Sequence, residues 1–390
     1  MKLALVIQRY GEDIAGGSEA HARGLAQALR TTHDVEILTT CARDYLFWKN
    51  EFEPGVTTVD GLRVTRYPVK KPRDQARFGA VSDHVFNEPH DREAEERWII
   101  ENGPWCPELV AAIKTRTDVD FFLCYSYRYF TAAKGALAAL DRAILVPTAE
   151  EDDAIRLGVF AELFQSVRGL LCLTPEERQL IETHAGTIKA PSRVIGSGMN
   201  VHRSGAAPRQ RLRAPESYVL YVGRIDKNKG VETLFRHFTW LADEWPECPP
   251  LLLVGHPVID IPAHPKIRHL GYVSDEEKSS LIEGADVVLM PSRFESLSMI
   301  VLEAWALGRP VLVNAACAVL EGQCRRSNGG LYYRDYAEFQ AMLLMLMRDA
   351  ALRDALGAQG QAYVNATYSW EQAAAATNDL LRELKGDGSC

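Results

Sequence analysis

The chain has little of what would mark it for a membrane, a nucleic acid or an oxidising compartment. Its longest apolar stretch, around residues 299–320, is broken by Glu303 and Arg309. No segment reaches the roughly 20 apolar residues that a spanning helix needs. Positive charge is not in excess: 44 Lys and Arg stand against 52 Asp and Glu, a formal net charge of -8. That balance argues against general nucleic-acid binding. The eight cysteines are scattered, with no C-x-x-C pair, and Cys317 and Cys324 have no His-rich partner nearby. The common zinc spacings are therefore absent. Cys124 and Cys172 fall in apolar runs, as reduced core residues of a cytosolic protein do. The start, MKLALVIQRY, does not read as a signal peptide, because the apolar run 3–7 is short and charge returns at Arg9. A cytoplasmic protein with at most peripheral membrane contact is expected.

What is present is ordinary globular composition, 47% hydrophobic and 25% charged over 390 residues, enough for two full cores. Short apolar runs alternate with helical patterns. Strands are expected at 3–7, 35–38, 121–124, 143–146, 169–173 and 193–195. The pattern restarts with strands at 218–222, 251–254, 267–270, 287–290 and 311–313. Such alternation predicts two tandem doubly wound α/β domains with parallel sheets. Residues 199–215, rich in Arg, Gly, Ala and Pro, read as the linker, which bounds the domains at 1–198 and 199–369. Residues 70–107 read as a long irregular stretch with one helix, 91–102. A last helix spans 370–384 with the stripe Ala374, Thr377, Leu381 and Leu384, and residues 386–390 look frayed.

Three constellations carry chemistry. Residues 11–19 read GEDIAGGSE between the first strand and helix. Gly16 and Gly17 allow close backbone approach, and Ser18 is a candidate cap. The helix start would suit an anion. This is not G-x-G-x-x-G, so a nicotinamide reading is unsupported. A plain Gly-rich turn is the competing reading. Residues 223–230 read GRIDKNKG after the next apolar strand. Arg224 and Lys229 there could neutralise a diphosphate in the crevice at the strand ends, or could simply form a solvated charged turn. Residues 294–308 read FESLSMIVLEAWALG. With a helix starting near Ser298, Glu295 lies in the loop before it. Glu303 then lies roughly 7–8 Å along the axis. The N–H groups of Leu297, Ser298 and Met299 would be free donors of the helix start. Glu303 sits among Ile300, Val301, Leu302, Ala304 and Trp305, where a buried carboxylate needs a specific partner.

On these residues the sequence resembles the family 4 glycosyltransferases, retaining enzymes of the GT-B fold. The resemblance covers nearly the whole chain. It is carried by Arg224-Ile-Asp-Lys-Asn-Lys229-Gly230 and by the Glu295 and Glu303 pair in the frame Pro291-Ser-Arg-Phe-Glu-Ser-Leu. Gly16-Gly17-Ser18-Glu19, Leu270-Gly271-Tyr272-Val273 and Tyr368-Ser369-Trp370 support it. The resemblance implies two Rossmann-like domains facing across a cleft, with helix 370–386 packed back on the first. It implies that Arg224 and Lys229 bind the donor diphosphate and stabilise its departure. Glu303 would hold the ribose and Glu295 the transferred sugar. The backbone at Ser296, Leu297 and Ser298 would meet sugar and phosphate. Val273 would meet the base, with Gly223 and Gly255 lining that pocket. Gly16 and Gly17 would wall the β-phosphate side. Members commonly carry a first-domain His near the sugar. Here the corresponding stretches read Cys124-Tyr-Ser-Tyr-Arg-Tyr and Val146-Pro-Thr-Ala-Glu-Glu-Asp-Asp, and Tyr127 or Glu150, with Ser18, are the candidates for sugar and acceptor positioning.

The resemblance implies a nucleotide-diphosphate sugar as donor, no cofactor and no metal, because two cations and a helix start can balance the leaving phosphate. The acceptor would be a glycan or a lipid-linked hydroxyl. Lys70, Lys71, Arg73 and Arg77 could touch an anionic lipid, or form a solvated loop. A non-catalytic nucleotide-sugar or glycan-binding protein on the same fold is the alternative.

Overall fold

The computed structural model describes residues 1–14, 16–199 and 201–386. It divides the chain into two compact units, Met1–Gly198 with Trp370–Cys390, and Met199–Ser369.

The first unit is built on eight strands: β1 (Lys2–Val6), β2 (Asp34–Thr40), β3 (Gly55–Val59), β4 (Leu62–Tyr67), β5 (Phe121–Tyr125), β6 (Ala143–Val146), β7 (Gly169–Cys172) and β8 (Ser192–Val194). They lie in the order β3-β4-β2-β1-β5-β6-β7-β8. All pairs are parallel except β3 with β4. The sequences LALV, FFLCY and AILV are apolar on both faces because parallel strands are covered on both sides. The helices are α1 (Gly17–Leu29), α2 (Gln75–Asn87), α3 (Arg92–Asn102), α4 (Pro107–Thr115), α5 (Phe130–Leu137), α6 (Gly158–Ser166) and α7 (Pro175–Ala185). Ala4, Val6, Phe122, Cys124 and Leu145 pack with residues of α3 to α7 in one core.

The second unit holds β9 (Val219–Val222), β10 (Leu251–Val254), β11 (Ile267–His269), β12 (Val287–Met290), β13 (Val311–Asn314) and β14 (Gly330–Tyr333). They are all parallel, in the order β11-β10-β9-β12-β13-β14. Its helices are α8 (Ala207–Arg211), α9 (Val231–Glu244), α10 (Asp275–Gly284), α11 (Met299–Ala306), α12 (Ala318–Ser327), α13 (Tyr336–Arg348) and α14 (Ala350–Thr367). Leu234, Phe238 and Leu241 of α9 pack with Val219, Leu251 and Leu289 of the sheet.

The last helix, α15 (Trp370–Lys385), belongs to the first unit. It buries Ala373, Ala374, Thr377, Leu380, Leu381 and Leu384, and lies against α1, β7 and β8. Its first residue is closely packed against two glycines. A Cβ on Gly24 of α1 would come within 1.9 Å of the Trp370 ring, and one on Gly198 within 2.2 Å. His21 of α1 sits edge-on to the same ring, at 5.5 Å between centroids, and its Nε2 meets Gly196 O at 2.8 Å.

Three stretches differ from expectation. The irregular segment 70–107 holds two helices rather than one, α2 and α3, capped by Asp74 and Asp91. Residues 55–67 form the β3–β4 hairpin around Asp60 and Gly61, both at positive φ, as a two-residue turn of that type requires. The expected linker carries α8, whose Arg209 N–H donates to Ser280 Oγ of α10 at 3.1 Å, so it is built into the second unit. The fraying expected at the chain end concerns residues 386–390, of which 387–390 lie outside the described residues. The seven described cysteines are buried and unpaired.

Candidate active site

In the second sheet the strand order reverses at β9, which has β10 on one side and β12 on the other. The carboxyl ends of strands at such a reversal form the usual ligand crevice of an open α/β sheet. The two loops that start there are 223–230 after β9 and 291–298 after β12. Gly230 joins them. Its φ is +70°, and a Cβ would come within 2.1 Å of Pro291 O. Only glycine permits this approach.

The approach brings Lys229 Nζ to 2.7 Å from Glu295 Oε1, across 66 residues of sequence. Asp226 orders the first loop. Its Oδ1 accepts from Lys229 N at 2.9 Å, and its other oxygen pairs with Arg224 Nε. Two cations are thus held beside two carboxylates that are themselves mostly buried, with Asp226 at 10% and Glu295 at 11% side-chain exposure. Arg224, Lys229 and Glu295, singled out separately from the sequence, fall into one site. Leu297 and Ser298 are buried at the start of α11, where Ser298 is the N-cap residue and its side chain makes no capping bond. The first-turn N–H groups of a helix lack intrahelical acceptors and favour an anion. Ser296 lies in the same loop.

Glu303 projects from α11 to a partner the sequence did not reveal. Lys278 Nζ of α10 lies 3.0 Å from Glu303 Oε1 and 3.3 Å from Asp275 Oδ1. The second oxygen, Oε2, is buried with no hydrogen-bond partner among the described residues. Burial pushes the Glu303 carboxyl above its usual value, against the opposing pull of Lys278. A buried acceptor of this kind suits a ligand hydroxyl. Gly223 and Gly255 stack at the ends of β9 and β10, since a Cβ on Gly255 would come within 2.0 Å of Gly223 O. Gly255 N donates to Gly271 O at 2.9 Å. Val273, two residues after that turn, is buried at 9% exposure.

In the first unit the reversal falls at β1, between β2 and β5. Gly16 is the N-cap residue of α1. Ser18 therefore does not cap that helix; it is the second helical residue, and its hydroxyl donates to Glu19 Oε2 at 2.9 Å. A Cβ on Gly17 would meet nothing within 4 Å, so the backbone there faces open space. Tyr127 is a core residue, 1% exposed and edge-on to Phe160 at 4.8 Å, and its hydroxyl meets Asp152 Oδ1 at 3.4 Å. Glu150 is half-buried in the loop after β6. That loop is tied down by Glu177 of α7, whose two oxygens accept from Ala149 N at 2.6 Å and Leu173 N at 2.5 Å. Burial pushes the Glu177 carboxyl up to about 8. The basic cluster is engaged internally: Lys70 with Glu108, Lys71 and Arg77 with Glu101, and Arg73 with Asn102 O.

Residues 216–349, which span both loops and Glu303, match the family model described as Glycosyl transferases group 1. This segment is a group 1 glycosyltransferase domain. The whole chain is 22% identical to an uncharacterized glycosyltransferase of Methanocaldococcus jannaschii over 98% of each chain. It is 27% identical to the D-inositol 3-phosphate glycosyltransferase of Streptomyces avermitilis, over 96% of this chain and 84% of the relative. Among solved structures it resembles sucrose-phosphate synthase from Thermosynechococcus elongatus with a TM-score of 0.74 at 19% identity, covering 99% of this chain and 100% of that one. It also resembles Anabaena HepE in complex with UDP, with a TM-score of 0.68 at 14% identity, covering 98% and 99%. At such identities the likeness carries the fold alone, which is GT-B: two parallel-sheet, Rossmann-like α/β units.

Proposed function

We propose that this group 1 glycosyltransferase is a retaining, metal-independent enzyme. It moves a hexosyl unit from a UDP- or GDP-sugar to a hydroxyl acceptor in polysaccharide, glycolipid or cell-envelope glycan synthesis. The observation that carries the reading is the meeting of Arg224, Lys229 and Glu295 at the carboxyl ends of β9 and β12. Two cations held there by buried carboxylates suit a diphosphate whose charge grows as the sugar departs. The bound complex of HepE with UDP is consistent with a nucleotide-sugar donor.

In this mechanism Arg224 and Lys229 grip the diphosphate, and the start of α11 adds its N–H donors. Glu303 Oε2 accepts from a ribose hydroxyl, and Glu295 from the sugar. The acceptor hydroxyl attacks the anomeric carbon on the face the diphosphate leaves, and its proton passes to the leaving phosphate oxygen. No side chain is required as nucleophile, and the positive charge comes from the protein rather than from a metal. A cytoplasmic location, with at most peripheral contact to a membrane, accompanies the proposal. Among the described residues no helix is long and apolar enough to cross one.

Thermal-shift screening with UDP-, GDP- and ADP-sugars tests the donor, since a ligand of the folded state raises the melting midpoint. Nucleotide release from the binding donor, unchanged by EDTA, and an axial or equatorial anomeric signal matching that donor's are expected. A protein that neither binds nor turns over any of these sugars would sink the proposal.

A further inference from the structure

Lys278 has no role in the mechanism above, yet its side chain is only 23% exposed and reaches from α10 to the carboxylate on α11. Its Nζ lies 3.0 Å from Glu303 Oε1. The helix that carries it is held in place. Ser274 and Glu277 close a capping box at its start. Further along, the Tyr218 hydroxyl donates to Leu281 O at 2.6 Å, and Arg209 N donates to Ser280 Oγ at 3.1 Å. Glu303 is seated as firmly, because Val301, Leu302, Ala304 and Trp305 beside it on α11 are buried. All of these residues belong to the second unit.

An ammonium has three donors and can serve both oxygens of one carboxylate. This one does not. Its second contact runs outward, to Asp275 Oδ1 at 3.3 Å, on a side chain that is 98% exposed. Glu303 Oε2 stays buried with no hydrogen-bond partner among the described residues. The two oxygens are thus divided: Lys278 holds one, and the other still needs a donor. A buried acceptor without a donor is costly, and a ligand hydroxyl that supplies one removes the cost. Burial raises the Glu303 carboxyl and Lys278 opposes the rise, so the lysine also favours the ionised form, which only accepts.

We infer that Lys278 is a positioning residue for the pentose of the donor. By anchoring Oε1 it fixes the Glu303 carboxylate with Oε2 left for a ribose hydroxyl, and so makes the site select a ribonucleotide over a deoxyribonucleotide. A site that hydrogen-bonds a ligand hydroxyl rejects the analogue lacking it, because the buried acceptor is then left unpaired. This inference rests on the nucleotide-sugar reading proposed above, with the ribose at Glu303.

The test titrates wild type with UDP, GDP and ADP by calorimetry, then takes the tightest of them together with its 2′-deoxy and 3′-deoxy forms. Wild type is expected to bind the ribonucleotide about tenfold or more tightly than one of the deoxy forms, as a hydroxyl-reading site does. Lys278→Met is expected to leave the Kd of that deoxy form within about twofold, and to weaken the ribonucleotide until the preference falls below about threefold. Lys278→Arg, which keeps a cation for Oε1, is expected to retain most of the preference. In a Glu303→Gln background, Lys278→Met should change the ribonucleotide Kd by less than about twofold, because the group it positions is gone. A lysine with a merely structural role would weaken ribo and deoxy forms alike. A Lys278→Met protein that keeps the wild-type preference, or additive effects of the two substitutions, would overturn the inference and leave the donor reading standing. Should Lys278→Met not fold, Lys278→Ser, which admits water in place of the ammonium, carries the same comparison. Wild type that binds a ribonucleotide with no preference over either deoxy form also rejects the inference alone. Wild type that binds none of the three nucleotides defeats the donor reading, and the inference with it.

Discussion

Lys278 Nζ lies 3.0 Å from Glu303 Oε1, while the other oxygen of that carboxylate is buried without a hydrogen-bond partner among the described residues. Breaking the pair from the lysine side leaves a charge in a poor solvent for it. Lys278→Met is expected to destabilise the fold by about 2 kcal/mol, at the low end for buried pairs because both groups keep some exposure. The loss has a pH signature. Glu303 already sits above its ordinary value through burial, and removing the cation raises it further. A carboxyl with a raised folded-state value binds its proton more tightly folded than unfolded, so stability falls as pH rises from the unfolded value towards the folded one. The deficit of Lys278→Met relative to wild type should therefore be larger near pH 8 than near pH 5, as read by urea melts at the two pH values.

Arg224→Ala and Lys229→Ala should each lower kcat by about 100-fold, the scale seen when one donor to a developing negative charge is removed. Both side chains are about a third exposed, so their pairs contribute little to stability. Melting midpoints should move by no more than about 2 °C. Full activity in both variants would remove these residues from the mechanism.

Gly24→Ala should cost about 2–3 kcal/mol, because its Cβ has no room beside the Trp370 ring and well-packed contacts resist overfilling. Gly79→Ala is the matched control. It lies inside α2 with nothing within 4 Å of the added carbon, and should stabilise by about 0.5–1 kcal/mol. Equal effects in chemical denaturation would show that the ring is not seated as described.

Glu177 offers a second titration. Burial pushes its carboxyl up to about 8, while the N–H groups of Leu173 and Ala149 pull the other way. Below the ordinary carboxyl value both states hold the proton. Between about pH 4.5 and 8 the unfolded chain releases it first, so wild type loses stability over that window. Glu177→Gln cannot titrate. The gap in melting midpoint between wild type and Glu177→Gln should narrow as pH rises from about 5 to 8. A constant gap would mean that the N–H groups fully offset burial.

Much of this was legible in the residues. Buried parallel strands such as β1, β5 and β12 announce themselves because both faces are covered and the apolar run is unbroken. Strand β3 did not, since Gly55–Val59 lies at the sheet edge with most of its residues exposed. Nor did α2, which buries only Val85 fully and spreads its other apolar contacts among charges. Arg224, Lys229 and Glu295 could be picked out because each follows a strand end. Lys278 could not, because SDEEK at the start of a helix looks like any solvated charged turn. The need for a partner at Glu303 was visible in its apolar neighbours, but its identity depends on how α10 packs on α11. Tyr127, a candidate for sugar positioning because its stretch corresponds to the one where the family carries a His, packs against Phe160 and Phe164 in the core.

The return of α15 to the first unit has a consequence during synthesis. On the ribosome, residues 199–369 emerge and can complete their own sheet before Trp370 is made. Until then Gly169 of β7 has no cover from Leu380 and Leu384, and the slot between Gly24 and Gly198 stands empty. The unit translated first is thus the one finished last, and a stalled or shortened polypeptide would present that uncovered surface to chaperones.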